Sequence, residues 1–378
     1  MYTRLYLLSL SIYTITMKFE STTIHFYNAV QQVSRARSKS MLNPLLQCIS
    51  LEVEDFTLIV RATNLEIICE KNINIKGIQN GSCLVNAETL VKVLSLLNKN
   101  EASISCEVIE GVFTITSGKD VLEIKLFPKE DFPKLPSKGE LILTMDAQVF
   151  NALVRDVSFC SATTDIKPDI ASVYVYNKEN VLYAVATDSY RLAESKIPHE
   201  GEDFSFLLSE KYTQDILSIL DQEGGVLDFS LSEHLLTIST DTLTVSVTTV
   251  LGQFPDYKQL FPREFSTKVT LRKDDLQKTL TLSSFFTEHY NTAHIVLENE
   301  TLTISSKNEH VGSMTKALSV KKEGDDLESY YNNKYFLEVF SHLLGDEINL
   351  SFTVKNRPLF ITSNGRNTYT YLLMPVNK

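Results

Sequence analysis

Tryptophan is absent from this 378-residue chain, cysteine is scarce, and no apolar run is long enough to cross a bilayer. Each scarcity removes a class of protein. The five cysteines (Cys48, Cys69, Cys83, Cys106, Cys160) are an odd number, none forms a CxxC pair, and none follows Cys160. A disulfide framework or a zinc centre needs thiols paired at short spacing, so these read as buried free thiols in a reducing cytoplasm. The seven histidines are scattered; His289 and His294 would fall on different faces of a helix, which speaks against a metal pair. P-loop, GxGxxG, GxSxG and HExxH motifs are all missing, which leaves an enzyme reading without its usual handles. Thirty-six basic against 47 acidic residues give a net charge of −11. That balance argues against a broadly basic, nucleic-acid-coating surface, but it permits a local basic face. The opening MYTRLYLLSLSIYTIT is too short to span a membrane and lacks a small-residue cleavage site. Residues 1–16 are therefore expected to be an upstream start or a disordered extension, with the fold counted from Met17.

What is present is ordinary in amount and unusual in order. Apolar residues make up 43% and charged ones 22%, enough for several cores and for two or three domains. Three landmarks recur. A strand ending in a polar turn appears as Leu58–Asn64 (LIVRATN), Leu182–Asp188 (LYAVATD) and, more weakly, Leu302–Asn308 (LTISSKN). A polar cap precedes an apolar helical stripe at Asn86 (Leu90, Val93, Leu94, Leu97), Ser209 (Tyr212, Ile216, Ile219, Leu220) and Asn332 (Phe336, Val339, Phe340, Leu343). An alternating strand carries Ile115, Ile238 and Ile361, which are 123 residues apart in both intervals. Three coincidences in one order mean a triplicated domain.

Each copy is expected to open with an amphipathic helix near Thr22, Asp146 or Asp274, the two aspartates serving as caps. Period-two strands follow (Leu51/Val53, Leu58/Val60, Leu122/Ile124/Leu126, Leu243/Val245/Val247), then the second helix and more strands. Two helices on one side of antiparallel strands make an α+β domain. Proline-bearing joints at Phe132–Pro136 and from Phe254 to Pro262 place the copies at 17–137, 138–263 and 264–378. Side-by-side packing of such units would give one outer wall of sheet with helices facing inward. It would close into a ring if the ends of two or more chains joined head to tail.

The segment Val185–Ala193 (VATDSYRLA) resembles the central signature of the bacterial DNA polymerase III beta subunit, the sliding clamps. Gln253–Tyr257 (QFPDY) is similar to that family's second-to-third domain joint, and Leu372–Val376 (LLMPV) to its last strand. Met17–Phe19, Gln31–Ser34 and Asp131–Pro133 are similar to its first domain. The resemblance covers 17–378. The chain departs from it at Ser189-Tyr190, where the family has Gly-His, and at Val376-Asn377-Lys378, where a basic-then-apolar finish is usual.

The resemblance implies three copies of the DNA clamp fold forming a ring, with helices inside and sheets outside. The ring would encircle duplex DNA without bond chemistry or cofactor and tether the replicative polymerase in the cytoplasm. Its partners would be double-stranded DNA, polymerase and clamp-loader subunits, and further copies of the chain, most simply in a head-to-tail dimer, though a trimer is equally compatible with three repeats. Ser21 to Leu51 contains no Asp or Glu. There the resemblance places DNA contacts at Arg35, Arg37 and Lys39, with Arg155, Lys167, Arg272, Lys273 and Lys278 as weaker candidates beside Asp156, Asp274 and Asp275. It places a peptide-binding groove at Ile170, Thr187, Ser189, Tyr190, Arg191, Leu192, Pro255, Leu260, Tyr335, Leu372, Leu373, Met374, Pro375 and Val376. Subunit contacts fall at Leu122 and Ile124 against Phe285 and Phe286. The plainer reading makes Leu192, Leu372 and Leu373 core strand residues, and gives Arg191 a structural ion pair. Asp188 could be imagined as catalytic, but Asn64 and Asn308 occupy its place in the other copies, and a turn-forming role covers all three. Two rival readings remain: a secreted β-rich adhesion protein, and a clamp-like paralogue that binds proteins without encircling DNA.

Overall fold

The computed structural model describes residues 15–40, 42–97, 103–128, 132–164, 166–288, 291–353 and 357–376. Expectations resting on residues 1–14, Asp131, His289, Asn377 and Lys378 lie outside the described residues.

The first repeat runs β1 (Ile15–Thr22), α1 (Thr23–Val33), β2 (Cys48–Glu54), β3 (Thr57–Thr63), β4 (Ile67–Asn74), β5 (Lys76–Gln79), β6 (Gly81–Asn86), α2 (Ala87–Leu96), β7 (Ser103–Ile109), β8 (Val112–Ser117) and β9 (Asp120–Lys125). The second runs β10 (Glu140–Asp146), α3 (Ala147–Ser158), β11 (Ser172–Lys178), β12 (Val181–Thr187), β13 (Arg191–Pro198), β14 (Phe204–Ser209), α4 (Glu210–Leu220), β15 (Val226–Ser232), β16 (Leu235–Ser239) and β17 (Leu243–Thr248). The third runs β18 (Thr267–Arg272), α5 (Lys273–Ser284), β19 (Thr292–Glu298), β20 (Thr301–Asn308), β21 (Gly312–Ser319), β22 (Lys321–Gly324), β23 (Leu327–Asn332), α6 (Asn333–Glu338), β24 (Glu347–Phe352), β25 (Leu359–Ser363) and β26 (Arg366–Leu373). One pattern appears three times: strand, helix, four or five strands, helix, three strands.

The caps explain where the helices start. Thr22 accepts from the amide of His25, Asn86 from that of Thr89 and Asn332 from that of Tyr335. Asp146 accepts from the amide of Gln148 at 2.8 Å. The expectation for Asp274 is corrected: it lies inside α5, whose cap position is Arg272 with no side-chain bond. There the amide of Lys273 donates to the carbonyl of Asp346 at 2.8 Å, so backbone replaces the side-chain cap. Asp274 and Asp275 instead place negative charge in the first turn, where the helix dipole favours it.

By contacts the chain falls into two units, Met1–Gln148 with Gln214–Thr248, and Val149–Thr213 with Thr249–Lys378. The divide passes through the middle repeat because each of its sheets continues into a neighbour. In the first unit an eight-stranded sheet runs β10-β15-β16-β17-β4-β3-β2-β6, joined where Val245 faces Cys69 and Val247 faces Ile67. Its companion sheet is β5-β1-β7-β8-β9. In the second unit a nine-stranded sheet runs β14-β11-β12-β13-β26-β25-β24-β18-β22, joined where Ala193 faces Tyr371 and Arg191 faces Leu373. A four-stranded sheet, β21-β20-β19-β23, completes it. Within the units α1 packs on α2 and α5 on α6. Ile115, Ile238 and Ile361 are fully buried at matching places in β8, β16 and β25, each stabilising the fold by about 1.5–3 kcal/mol. All five cysteines are buried and free; burial pushes the Cys48 thiol up to about 11 and raises the other four as well.

The β4–β17 join is fastened by a half-buried ion pair. Lys71 Nζ lies 2.5 Å from Glu223 Oε2, which also accepts from Gln32 at 3.2 Å, while Oε1 accepts from Thr240 at 2.9 Å. Burial would raise the Glu223 carboxyl, but the Lys71 ammonium and these donors outweigh it and hold the group below the usual carboxylate range. A depressed folded pKa means the stabilisation is complete above about pH 4.5 and fades as the pH falls through the folded value. Lys71→Met, which strands the carboxylate, should cost about 3 kcal/mol at neutral pH. It should also shrink the acid-side loss of stability, as read from urea unfolding across a pH series.

Candidate functional site

The turn between β12 and β13 is built the same way in all three repeats. Asp188 Oδ1 accepts from the amides of Tyr190 (2.9 Å) and Arg191 (3.0 Å). Asn64 accepts from Glu66 (2.9 Å) and Ile67 (2.7 Å), and Asn308 from His310 (2.9 Å) and Val311 (3.1 Å). A side-chain acceptor two and three residues ahead of its donors is an Asx turn. Asp188 therefore carries the turn-forming role that its counterparts carry. The Thr187 hydroxyl donates to the carbonyl of Arg191 at 2.6 Å and accepts from the amide of Ser189 at 3.1 Å. This geometry turns Ser189 to φ +76°, matching Leu65 at +77° in the first repeat. It is a left-handed conformation that glycine adopts without strain and serine does not.

The turn presents Arg191 to a ring of partners. Its Nε lies 3.0 Å from Asp188 Oδ2, its Nη1 pairs with Glu338, and its Nη2 donates to the carbonyl of Phe159 at 2.9 Å. The guanidinium sits 4.4 Å from the centroid of Tyr335 and 5.4 Å from that of Phe159. Tyr190, next along the turn, is 64% exposed, with its ring 6.4 Å from that of Tyr335. The chain leaving β26 runs alongside: the Met374 amide donates to the carbonyl of Tyr190 (2.9 Å), Pro375 bridges Tyr331, and the Val376 amide donates to the carbonyl of Tyr330 (2.7 Å). Met374, Pro375 and Val376 are each half-buried. The result is a shallow apolar surface flanked by two tyrosines, with a fixed cation at one edge.

Other candidates lie elsewhere. Leu192 and Leu372 are buried among Phe254, Tyr257 and Phe360, with Leu260 packed against that cluster. Neighbours along a strand face opposite sides, so Leu192 points away from Arg191. Leu373 and Ile170 are buried, Thr187 barely accessible and Pro255 exposed. Sequence reasoning missed Phe159 and Glu338. An Arg in an apolar strand signals that it needs a partner, but a partner 147 residues away leaves no local trace.

Among the candidate cations, Lys39, Arg155, Lys167, Arg272 and Lys278 are exposed. Lys39 lies 3.1 Å from Asp215, and Arg272 3.9 Å from Asp275. Arg35 is half-buried, its Nε without a hydrogen-bond partner, and Arg37 donates to the carbonyl of Ser34 at 3.0 Å. Lys273 is tied to the carbonyl of Leu343 at 2.5 Å, closing the end of the α6 segment. Phe285 is exposed and Phe286 half-buried; Leu122 is half-buried and Ile124 buried. Among the described residues no cluster of His, Cys, Asp or Glu is arranged to hold a metal, and no helix is long and apolar enough to cross a membrane.

Family models of the DNA polymerase III beta subunit match the chain three times in succession: its N-terminal domain at 17–136, its central domain at 144–256 and its C-terminal domain at 258–377. The chain belongs to this family. It is 25% identical to the beta sliding clamp of Bacillus subtilis over 378 residues, covering 95% of this chain and 99% of that one. The Pseudomonas putida beta sliding clamp is 24% identical over 353 residues, 92% and 96% of the two chains. Among solved structures, the Thermotoga maritima beta subunit superposes with a TM-score of 0.90 at 25% identity, over 96% of this chain and all of the other. A Pseudomonas aeruginosa sliding clamp bound to griselimycin superposes at 0.91 with 21% identity, over the same shares. The fold is thus three clamp domains in tandem, and the sliding-clamp reading of the signature at Val185–Ala193 is borne out.

Ser189→Gly removes the side chain that makes the left-handed turn costly. It should raise stability by about 0.5–1 kcal/mol, measured as an upward shift of the urea midpoint at unchanged slope.

Proposed function

We propose that this sliding clamp acts as a non-catalytic ring: copies of the chain join head to tail around duplex DNA and hold a replicative polymerase on its template in the cytoplasm. The observation that carries the reading is a join repeated in one register. Val245 and Tyr371, which face Ile238 and Ile361 within their own repeats, face Cys69 and Ala193 across the two joins. Leu122 faces Ile115 in the same way, and Met314 faces Ser306 as Cys69 faces Ala62 and Ala193 faces Ala186. The strands β9 and β21 that carry Leu122 and Met314 each end their sheet. An edge strand leaves backbone donors and acceptors unpaired and invites another strand. Pairing β9 of one copy with β21 of the next, in the register of the other joins, sets Leu122 against Met314, Ile124 against Gly312, and Asp120 against Lys316. The last pair is of opposite charge. Phe286 lies beside Gly312, so the aromatic pair at 285–286 belongs to the same seam.

Two copies closed this way give a ring of six domains, with cations on first helices and loops as DNA contacts, foremost exposed Lys39 and half-buried Arg35 and Arg37. Few and weak phosphate contacts suit a ring that must slide, and the net charge of −11 limits sticking elsewhere. The surface formed by Tyr190, Tyr335 and Met374–Val376 serves as the groove for short apolar peptide motifs of polymerase and clamp-loader subunits. Adaptable Met374 and flat tyrosine rings suit extended peptides.

After assisted loading, the protein should remain on circular DNA and run off the same DNA once linearised; equal loss from both would defeat the ring. For the seam, Asp120→Lys should weaken self-association about two- to fivefold in sedimentation experiments. Adding Lys316→Asp should restore it.

A further inference from the structure

The connector from the second repeat into the third lies across the face of the nine-stranded sheet that Arg191 turns away from. Its backbone is tied to strands at two places. The Val250 amide donates to the carbonyl of Leu207 and the Ser266 amide to that of Phe352, each at 2.9 Å. Between these ties its backbone bonds are local, Tyr257 to Pro255 at 2.7 Å and Phe261 to Lys258 at 3.1 Å. The connector covers Leu192 and Leu372, which face each other across β13 and β26 and are 2% and 1% exposed. They share one cluster with Phe254 and Tyr257, against which Leu260 packs.

One acidic side chain sits in this apolar face. Glu194 lies two residues beyond Leu192 on the same side of β13, and its side chain is 3% exposed. Its Oε2 lies 2.5 Å from both the Tyr257 hydroxyl and Lys258 Nζ, and the Tyr257 hydroxyl is 2.7 Å from that of Tyr176. Burial and the Glu194 carboxylate push the Tyr257 hydroxyl well up, so it remains a donor. The Lys258 ammonium also stands 4.4 Å from the ring centroid of Tyr183, 4.9 Å from that of Tyr257 and 5.3 Å from that of Phe261. Among the described residues, these are the side-chain hydrogen bonds that hold the connector to the sheet between its two backbone ties. A buried carboxylate satisfied by two donors of one segment acts as a latch, because water takes their place only once that segment lifts.

We infer that the connector is a hinged cover over Leu192 and Leu372, latched by Glu194, which a peptide lifts to bury a bulky apolar anchor. The inference rests on the groove reading above and extends that groove beneath the connector. Leu192 and Leu372 stand two residues from Tyr190 and Met374, so the covered leucines continue the exposed surface. The latch then sets specificity. Apparent affinity for a bulky anchor is reduced by the fraction of molecules whose cover is lifted, while a motif that stays on the exposed surface is unaffected.

The test uses the full chain and two fluorescein-labelled peptides, one with two adjacent leucine anchors and one with alanines in their place, read by fluorescence anisotropy. Lys258→Met removes one donor and keeps the apolar stem. It should tighten the leucine peptide about fivefold and leave the alanine peptide unchanged. Lys258→Arg, which restores a cation beside Glu194, should return the affinity to that of the wild type. In hydrogen exchange, amides of residues 251–265 should become more labile when the leucine peptide binds the wild type. If Lys258→Met binds the leucine peptide no tighter, or the connector amides slow on binding, the cover is overturned and the groove stands. Failure of both peptides to bind either wild type or Lys258→Met removes the groove and the cover together.

Discussion

A strand at the edge of a sheet holds a row of amide and carbonyl groups that must find partners, and the architecture of this chain follows from where those groups go. Each repeat makes sheets with free edges. Twice along the chain the edge is satisfied by the next repeat: β4 takes β17, and β13 takes β26. That is why contacts cut the chain through its middle repeat rather than between repeats. Among the strands that end their sheets are β9 in the first repeat and β21 in the third.

The joins differ in chemistry although they share a register. Directional contacts hold those within the chain: Lys71 with Glu223, and Arg366 with Asp156. Such pairs discriminate against slipped registers, since a slip of one residue would bury a charge without its partner. At the corresponding positions of the end strands β9 and β21 stand Leu122 and Met314.

The turn after β12 shows how a site grows from a structural element. Asn64 closes its turn, and Asn308 closes its own while its Nδ2 donates to the carbonyl of Thr287 at 3.0 Å. Asp188 closes the same turn and keeps a second oxygen for Arg191, which stands between Tyr335 and Phe159. A structural acceptor in the first and third repeats is, in the second, also the anchor for a surface. The strain at Ser189 belongs to that turn in the first two repeats alike, since Leu65 shares it.

Much of this was legible without coordinates. The spacing of Ile115, Ile238 and Ile361, the caps Asn86 and Asn332, and the acceptors Asn64, Asp188 and Asn308 are local features, set by residues a few positions apart, and they announce a triplicated α+β chain. The cap at α5 was misread because its donor is met by the backbone of Asp346, far along the chain. Glu338 and Phe159 beside Arg191, and the burial of Leu192 and Leu372 on the far side from it, depend on long-range pairing of β13 with β26. Periodicity says which residues share a strand face, but it does not say what that face will meet. The sequence alone determined the repeat, its helices and its turns, because those are decided by neighbours. Only the tertiary structure decided which strand edges join and which side chains then stand together, because pairing a strand with one more than a hundred residues away is chosen by the packing of the whole sheet.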